Sequence, residues 1–172
     1  MNRISIIGGS GTGKTVLSDN LGKILKLPVY HLDGLNYSSN WQEVDKSKRD
    51  KKFLNLIKKS KWIMDGTYRK TLKDRLKASD LIIYLDYSTF KQLKGVIGRY
   101  IKSGGKEKPE IPGCKERLNM KFLIWVLKWR KTKRKELIDA LKEIDQDKIL
   151  IFKNRRELNK WFYQEFGKKM EV

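Results

Sequence analysis

Short apolar runs alternate along the chain with longer stretches in which apolar positions return at helical spacing. The runs are "RISII" from Arg3, "VYHLD" from Val29, "WIMDG" from Trp62, "LIIYLDY" from Leu81 and "KILIF" from Lys148. Between them, the periodicity predicts helices after Gly13, within Val44 to Lys59, near Lys70 to Ala78, from Thr89 to about Lys102, from about Asn119 and from about Arg156. Strands that are apolar throughout and separated by helices predict an α/β fold: a parallel sheet with helices on both faces and right-handed crossovers. The pattern breaks once, at "SGGKEKPEIPGCKER", Ser103 to Arg117, which holds two of the three prolines and three glycines. A loop of that length inside a compact domain is usually functional or disordered.

At 172 residues the chain can build one core, so a single domain over residues 1–172 is expected. One cysteine, Cys114, cannot make an internal disulfide, and the opening residues lack the order of a secretion signal; a cytoplasmic setting is expected. The runs "LIIYL" and "FLIWVL" fall far short of the roughly 20 residues that cross a bilayer, so no membrane partner is expected. Charge changes the picture more. Lys and Arg outnumber Asp and Glu 40 to 20, and Lys91 to Lys135 alone holds fifteen basic and three acidic residues. Such a block fits contact with nucleic acid or another polyanion; it also fits solvated lysine on helix faces.

Between the first strand and the first helix stands "GGSGTGKT", Gly8 to Thr15. Gly8, Gly13, Lys14 and Thr15 meet the pattern G-x-x-x-x-G-K-[ST] in the strand-to-helix context it requires. Gly8, Gly9, Ser10, Gly11, Thr12 and Gly13 would turn successive amides inward on a phosphate, and the next helix would aim its positive end at the same anion. Lys14 would reach the β- and γ-phosphates of a nucleoside triphosphate such as ATP, and the Thr15 hydroxyl would be a Mg²⁺ ligand.

Ligands of open parallel sheets sit beyond the carboxyl ends of the strands, which singles out three aspartates. Asp65 after "WIM" is suited to orient Mg²⁺; Asp33 after "VYHL" would face an acceptor and take a hydroxyl proton; Asp86 after "LIIYL" resembles either a metal aspartate or a helix cap. His31, inside an apolar run, reads as a packed core residue before a substrate contact, and Cys114 as a free loop thiol. Phe122, Trp125, Val126 and Trp129 fall at helical spacing as one buried stripe, with a stacking platform for bases as the rival. Phosphoryl transfer also calls for cations beyond the loop. Arg69 and Arg99 lead the candidates, followed by Arg75, Lys106, Lys108 and Arg117, and the mobile basic segment at about 99–118 suits a lid that expels water.

The strings "GGSGTGKT", "VYHLD", "WIMDGTYRKTLKDRLKASDLIIYLD", "GRYIKSGGK" and the "GC" ahead of a Trp-rich helix resemble the adenylate-kinase-related P-loop proteins called DNA-topology-modulation proteins. That resemblance implies a nucleotide-kinase-like fold, a five-stranded parallel sheet in order 2-3-1-4-5 with a helical lid. "DGTYR" is similar to the "DGFPR" of adenylate kinases, which implies Asp65 near Mg²⁺ and Arg69 near phosphate; Arg99 matches the arginine that opens their lid. "HLD" is similar to acceptor-binding segments of shikimate kinase, which implicates Asp33. In the lid, "KPE" stands where relatives have Arg-Pro-Asp. Two functions follow as expectations: a Mg²⁺-dependent phosphotransferase that moves the γ-phosphoryl group of ATP to a small acceptor, nucleotide or metabolite, or a nucleotide-dependent DNA- or RNA-binding regulator that acts on DNA topology through the basic 91–135 segment.

Overall fold

The computed structural model describes residues 1–36, 41–68, 70–108, 111–115 and 118–171, without the side chains of 108, 111 and 112. Five strands, β1 (Arg3–Gly8), β2 (Val29–His31), β3 (Trp62–Asp65), β4 (Leu81–Leu85) and β7 (Ile149–Phe152), form one parallel sheet in the order β2-β3-β1-β4-β7. Six helices accompany them: α1 (Lys14–Leu25), α2 (Lys46–Ile57), α3 (Leu72–Ala78), α4 (Thr89–Ser103), α5 (Met120–Lys142) and α6 (Arg155–Phe166).

The expected order 2-3-1-4-5 is corrected at its last place. The edge strand is the seventh of the chain, because the Gly/Pro-rich break is not a plain loop: β5 (Glu107–Lys108) and β6 (Ile111–Lys115) pair there as an antiparallel hairpin. A second correction concerns Asp33. Strand β2 stops at His31, and Leu32–Leu35 turns as a 3-10 helix, so Asp33 lies in that turn and not on the strand.

Alternation along β1 divides the core. Ile4 and Ile6 face α1 and α6 with Leu17, Leu21, Leu158 and Phe162, while Ile7 faces α3 and α5 with Leu76, Trp129 and Leu141. A third cluster, Phe53, Leu56 and Trp62 among it, seats α2. Each of these large side chains stabilises the fold by roughly 1.5–3 kcal/mol through its burial. The helix ends follow from sequence: Asn119 and Asn154 cap α5 and α6 by accepting from Phe122 and Glu157 N–H, and Gly104 closes α4 in the left-handed region at φ +55°.

Candidate active site

Beyond the carboxyl ends of the strands opens a cleft of about 1770 Å³. The Gly8–Thr15 loop forms its floor, with Gly11 at φ +74° and Gly13 at φ +86°, conformations that a side chain would strain. The loop is pressed from the side by α4: a Cβ on Gly95 would stand 2.0 Å from the Gly11 carbonyl oxygen. Both Thr12 Oγ1 (3.0 Å) and Lys14 Nζ (2.8 Å) donate to the Gly9 carbonyl, which holds the ammonium across the mouth of the loop. Every residue from Gly8 to Thr15 except Gly9 lines the cleft.

Asp65, at the end of β3 and 4 % exposed, lies on the cleft wall. Its Oδ2 accepts from Ser18 Oγ at 2.9 Å, and the same hydroxyl lies 2.8 Å from the Thr15 carbonyl oxygen. Ser18, one turn into α1, therefore ties the carboxylate to the backbone of Thr15, which also lines the cleft. His31 Nδ1 stands 3.1 Å from Asp65 Oδ2, and its Nε2 stands 3.3 Å from Asp19 Oδ1. The imidazole lines the cleft with a carboxylate at each nitrogen, which corrects its reading as core packing. Among the described residues no three His, Cys, Asp or Glu side chains converge as a metal cage. The Asp65 carboxylate and the Thr15 hydroxyl, both on residues that line the cleft, are donors of the hard-oxygen kind that Mg²⁺ takes, with water and nucleotide phosphate to complete its shell.

Asp33 is exposed at the cleft edge, its Oδ1 close above Gly66, where a Cβ would come within 3.3 Å. Beneath that turn lies Arg75, fully buried, its Nη2 donating to the Gly66 carbonyl at 2.8 Å. Burial pushes the guanidinium down to about 10, against the pull of the Asp65 and Asp33 carboxylates, so it stays charged at neutral pH. Arg75 does not line the cleft, and what it does is hold the turn beside Asp33 and Asp65. Arg69 and Arg117 lie outside the described residues, as does the side chain of Lys108. Arg99 lines the cleft from α4. With Lys91, Lys94 and Lys102 it makes a cationic face at helical spacing, and Lys121 and Lys133 add to it from α5. Among the described residues, six basic side chains of the 91–135 block thus line the cleft.

Asp86 points elsewhere. It is 6 % exposed and accepts from Arg130 Nη1 at 3.0 Å and from Arg134 Nε and Nη2 at 2.9 and 2.7 Å. Burial acts to raise its carboxyl, but the Arg134 hydrogen bonds and the two guanidinium charges outweigh that and hold it below the usual carboxylate range. Cys114 is an unbridged thiol as expected, but it is fully buried in β6 and not in a loop: the Trp41 N–H donates to its Sγ at 3.2 Å, and the Trp41 indole N–H donates to the Lys115 carbonyl at 3.1 Å. These two bonds fasten the hairpin to the segment after Asp33. Val126 and Trp129 are buried as the stripe reading expects, whereas Trp125 is 46 % exposed and, with Phe122 and Trp129, lines the cleft.

No family model matches the chain, and no curated protein matches it. Solved structures do. Shikimate kinase from Acinetobacter baumannii in complex with shikimate is 19 % identical, with a TM-score of 0.57 over 99 % of this chain and 96 % of that one. An uncharacterised protein from Eubacterium ventriosum gives 11 % identity and 0.54, covering 98 % of this chain and all of the other. A gluconokinase from Sinorhizobium meliloti gives 12 % and 0.52, over 96 % and 90 %. At these identities the likeness is one of fold alone.

Proposed function

We propose that this protein is a P-loop phosphotransferase that moves the γ-phosphoryl group of ATP to a hydroxyl of a small acceptor, as one lidded domain acting in the cytoplasm. The observation that carries the reading is the glycine cradle of Gly8–Thr15 opening into a cleft shared with an exposed carboxylate, Asp33, and a row of inward cations. Backbone amides of the cradle would bind the β-phosphate, and Lys14 would leave the Gly9 carbonyl to reach the β- and γ-oxygens. Thr15 and Asp65 would hold Mg²⁺, which supplies charge neutralisation on the β- and γ-phosphates when bound. Asp33 would accept the hydroxyl proton as the acceptor oxygen bonds to phosphorus and the β–γ bridging bond breaks, leaving ADP and a phosphate ester. Arg99, with Arg69, would stabilise charge on the transferring oxygens, and the lid at about 99–118 would keep water from competing.

The fold of shikimate and gluconate kinases supports this class of reaction, and their acceptors, small molecules with hydroxyl groups, are of the kind an Asp33-type base serves. The strings quoted above further support kinship with the DNA-topology-modulation proteins. A nucleic-acid regulator is less well supported, because six cations of the basic block turn into the cleft.

Lys14→Ala tests the reading. Transfer from ATP should fall at least about 100-fold, with thermal unfolding in the absence of nucleotide unchanged. Normal turnover by that variant would remove the proposal.

A further inference from the structure

The cleft has two flanks around the phosphate cradle, and they differ in chemistry. On one, Asn154, Arg155 and Arg156 open α6, with Arg155 Nη1 against Gly13. On the other lie Asp33 and Thr67, whose Oγ1 donates to the Gly8 carbonyl at 3.1 Å, and beyond them Leu72. Leu72 packs in one cluster with Trp129 and Leu137 of α5, so the α5 wall belongs to the Asp33 flank and not to the α6 flank.

That wall is aromatic. Phe122, Trp125 and Trp129 follow at i, i+3 and i+7 on a single face of α5 and line the cleft. The Phe122 and Trp125 rings lie 5.9 Å apart and only 13° from parallel. Trp129 is anchored at 3 % exposure, whereas Trp125 keeps 46 % of its surface open although the cleft is beside it. An indole left half bare at the mouth of a cleft lacks the apolar cover that its neighbour has, and a flat ring laid on it would supply that cover.

The geometry points to an acceptor with a flat heteroaromatic ring and a hydroxyl-bearing side group, the chemistry of a nucleoside; this rests on the phosphotransferase reading and names the class of molecule that enters its acceptor side. Ring faces bind ring faces through stacking and exclusion of water, and a polyol carboxylate without an aromatic ring gains less from them. The hydroxyl of such a molecule reaches Asp33 while its ring rests on Trp125. Its oxygen takes the γ-phosphoryl group, its proton passes to Asp33, and the nucleoside diphosphate leaves.

The test separates this claim from the reading beneath it. The wild-type protein is first saturated with Mg²⁺ and a non-hydrolysable ATP analogue, which fills the donor side; failure of that analogue to raise the unfolding temperature counts against the phosphate cradle itself. Adenosine, guanosine, cytidine and thymidine are then titrated by tryptophan fluorescence and calorimetry, beside shikimate and gluconate. At least one nucleoside should bind more tightly than either polyol. Trp125→Ala should weaken it by roughly 5- to 100-fold, while Trp125→Phe retains most of the affinity and both variants keep the wild-type response to the analogue. Binding by none of the four nucleosides, tighter binding of shikimate or gluconate, or equal affinity in Trp125→Ala would each overturn the inference. Should Trp125→Ala not fold, the wild-type ranking of nucleosides against polyols still decides it.

Discussion

Gly95 and Gly11 meet backbone to backbone, and the contact leaves no room for a methyl group at either position. Gly95→Ala is expected to lower stability by about 1–3 kcal/mol, as forced overpacking does, and to weaken nucleotide binding because the yielding part is the phosphate loop. Urea unfolding and the thermal response to MgATP would show both effects; a variant with wild-type values in each would mean that α4 does not shape the loop. The loop itself was readable from its glycines, since no other residue type leaves amides free to converge. The helix residue that abuts it was not, because an isolated glycine in a helical pattern carries no sign of what it touches. His31 shows the same limit: a lone histidine in an apolar run looks like core, and only the turn that ends β2 brings Asp19 and Asp65 to its two nitrogens.

At the scale of elements, α5 is fixed to the end of β4 by the Asp86 carboxylate between Arg130 and Arg134. Asp86→Asn would leave two guanidinium groups without their anion, at an expected cost of about 2–4 kcal/mol near pH 6. The sign of the pH effect follows from the lowered carboxyl. Its stabilising contribution is complete above the ordinary carboxylate range near 3.9 and is lost as pH falls through the lower folded value. Urea midpoints for the two proteins should therefore draw together as the pH is taken down below the ordinary carboxylate value of about 3.9; a constant gap would contradict the assignment. Long periodic elements were legible in the sequence, α4 to within about a residue at both ends and α5 at its start. The β5–β6 hairpin was not, because strands of two and five residues carrying proline and glycine show no alternation to detect. The cationic face of α4 was visible as charge alone, and its inward direction came from the packing of Gly95 and Val96.

For the whole molecule, the formal charge of +20 predicts weak, general attraction to polyanions. If the cations of 91–135 serve the cleft, binding to duplex DNA should be displaced by MgATP, and its log–log salt slope should stay below about 3; a steep slope untouched by nucleotide would favour the nucleic-acid regulator. Saturating MgATP at about 100 times its dissociation constant should add about 2.7 kcal/mol to stability. No helix among the described residues is long and apolar enough to cross a membrane. The two glycines pressed together at positions 11 and 95 have a consequence on this largest scale. Under the proposed phosphotransferase reading, the amides that would grip the nucleotide and the helix that leads into the 99–118 segment share one bearing surface, so the helix could not rock without tilting the grip. In that reading, news of an occupied donor pocket would reach the proposed lid through solid contact, with no relay of intermediate side chains.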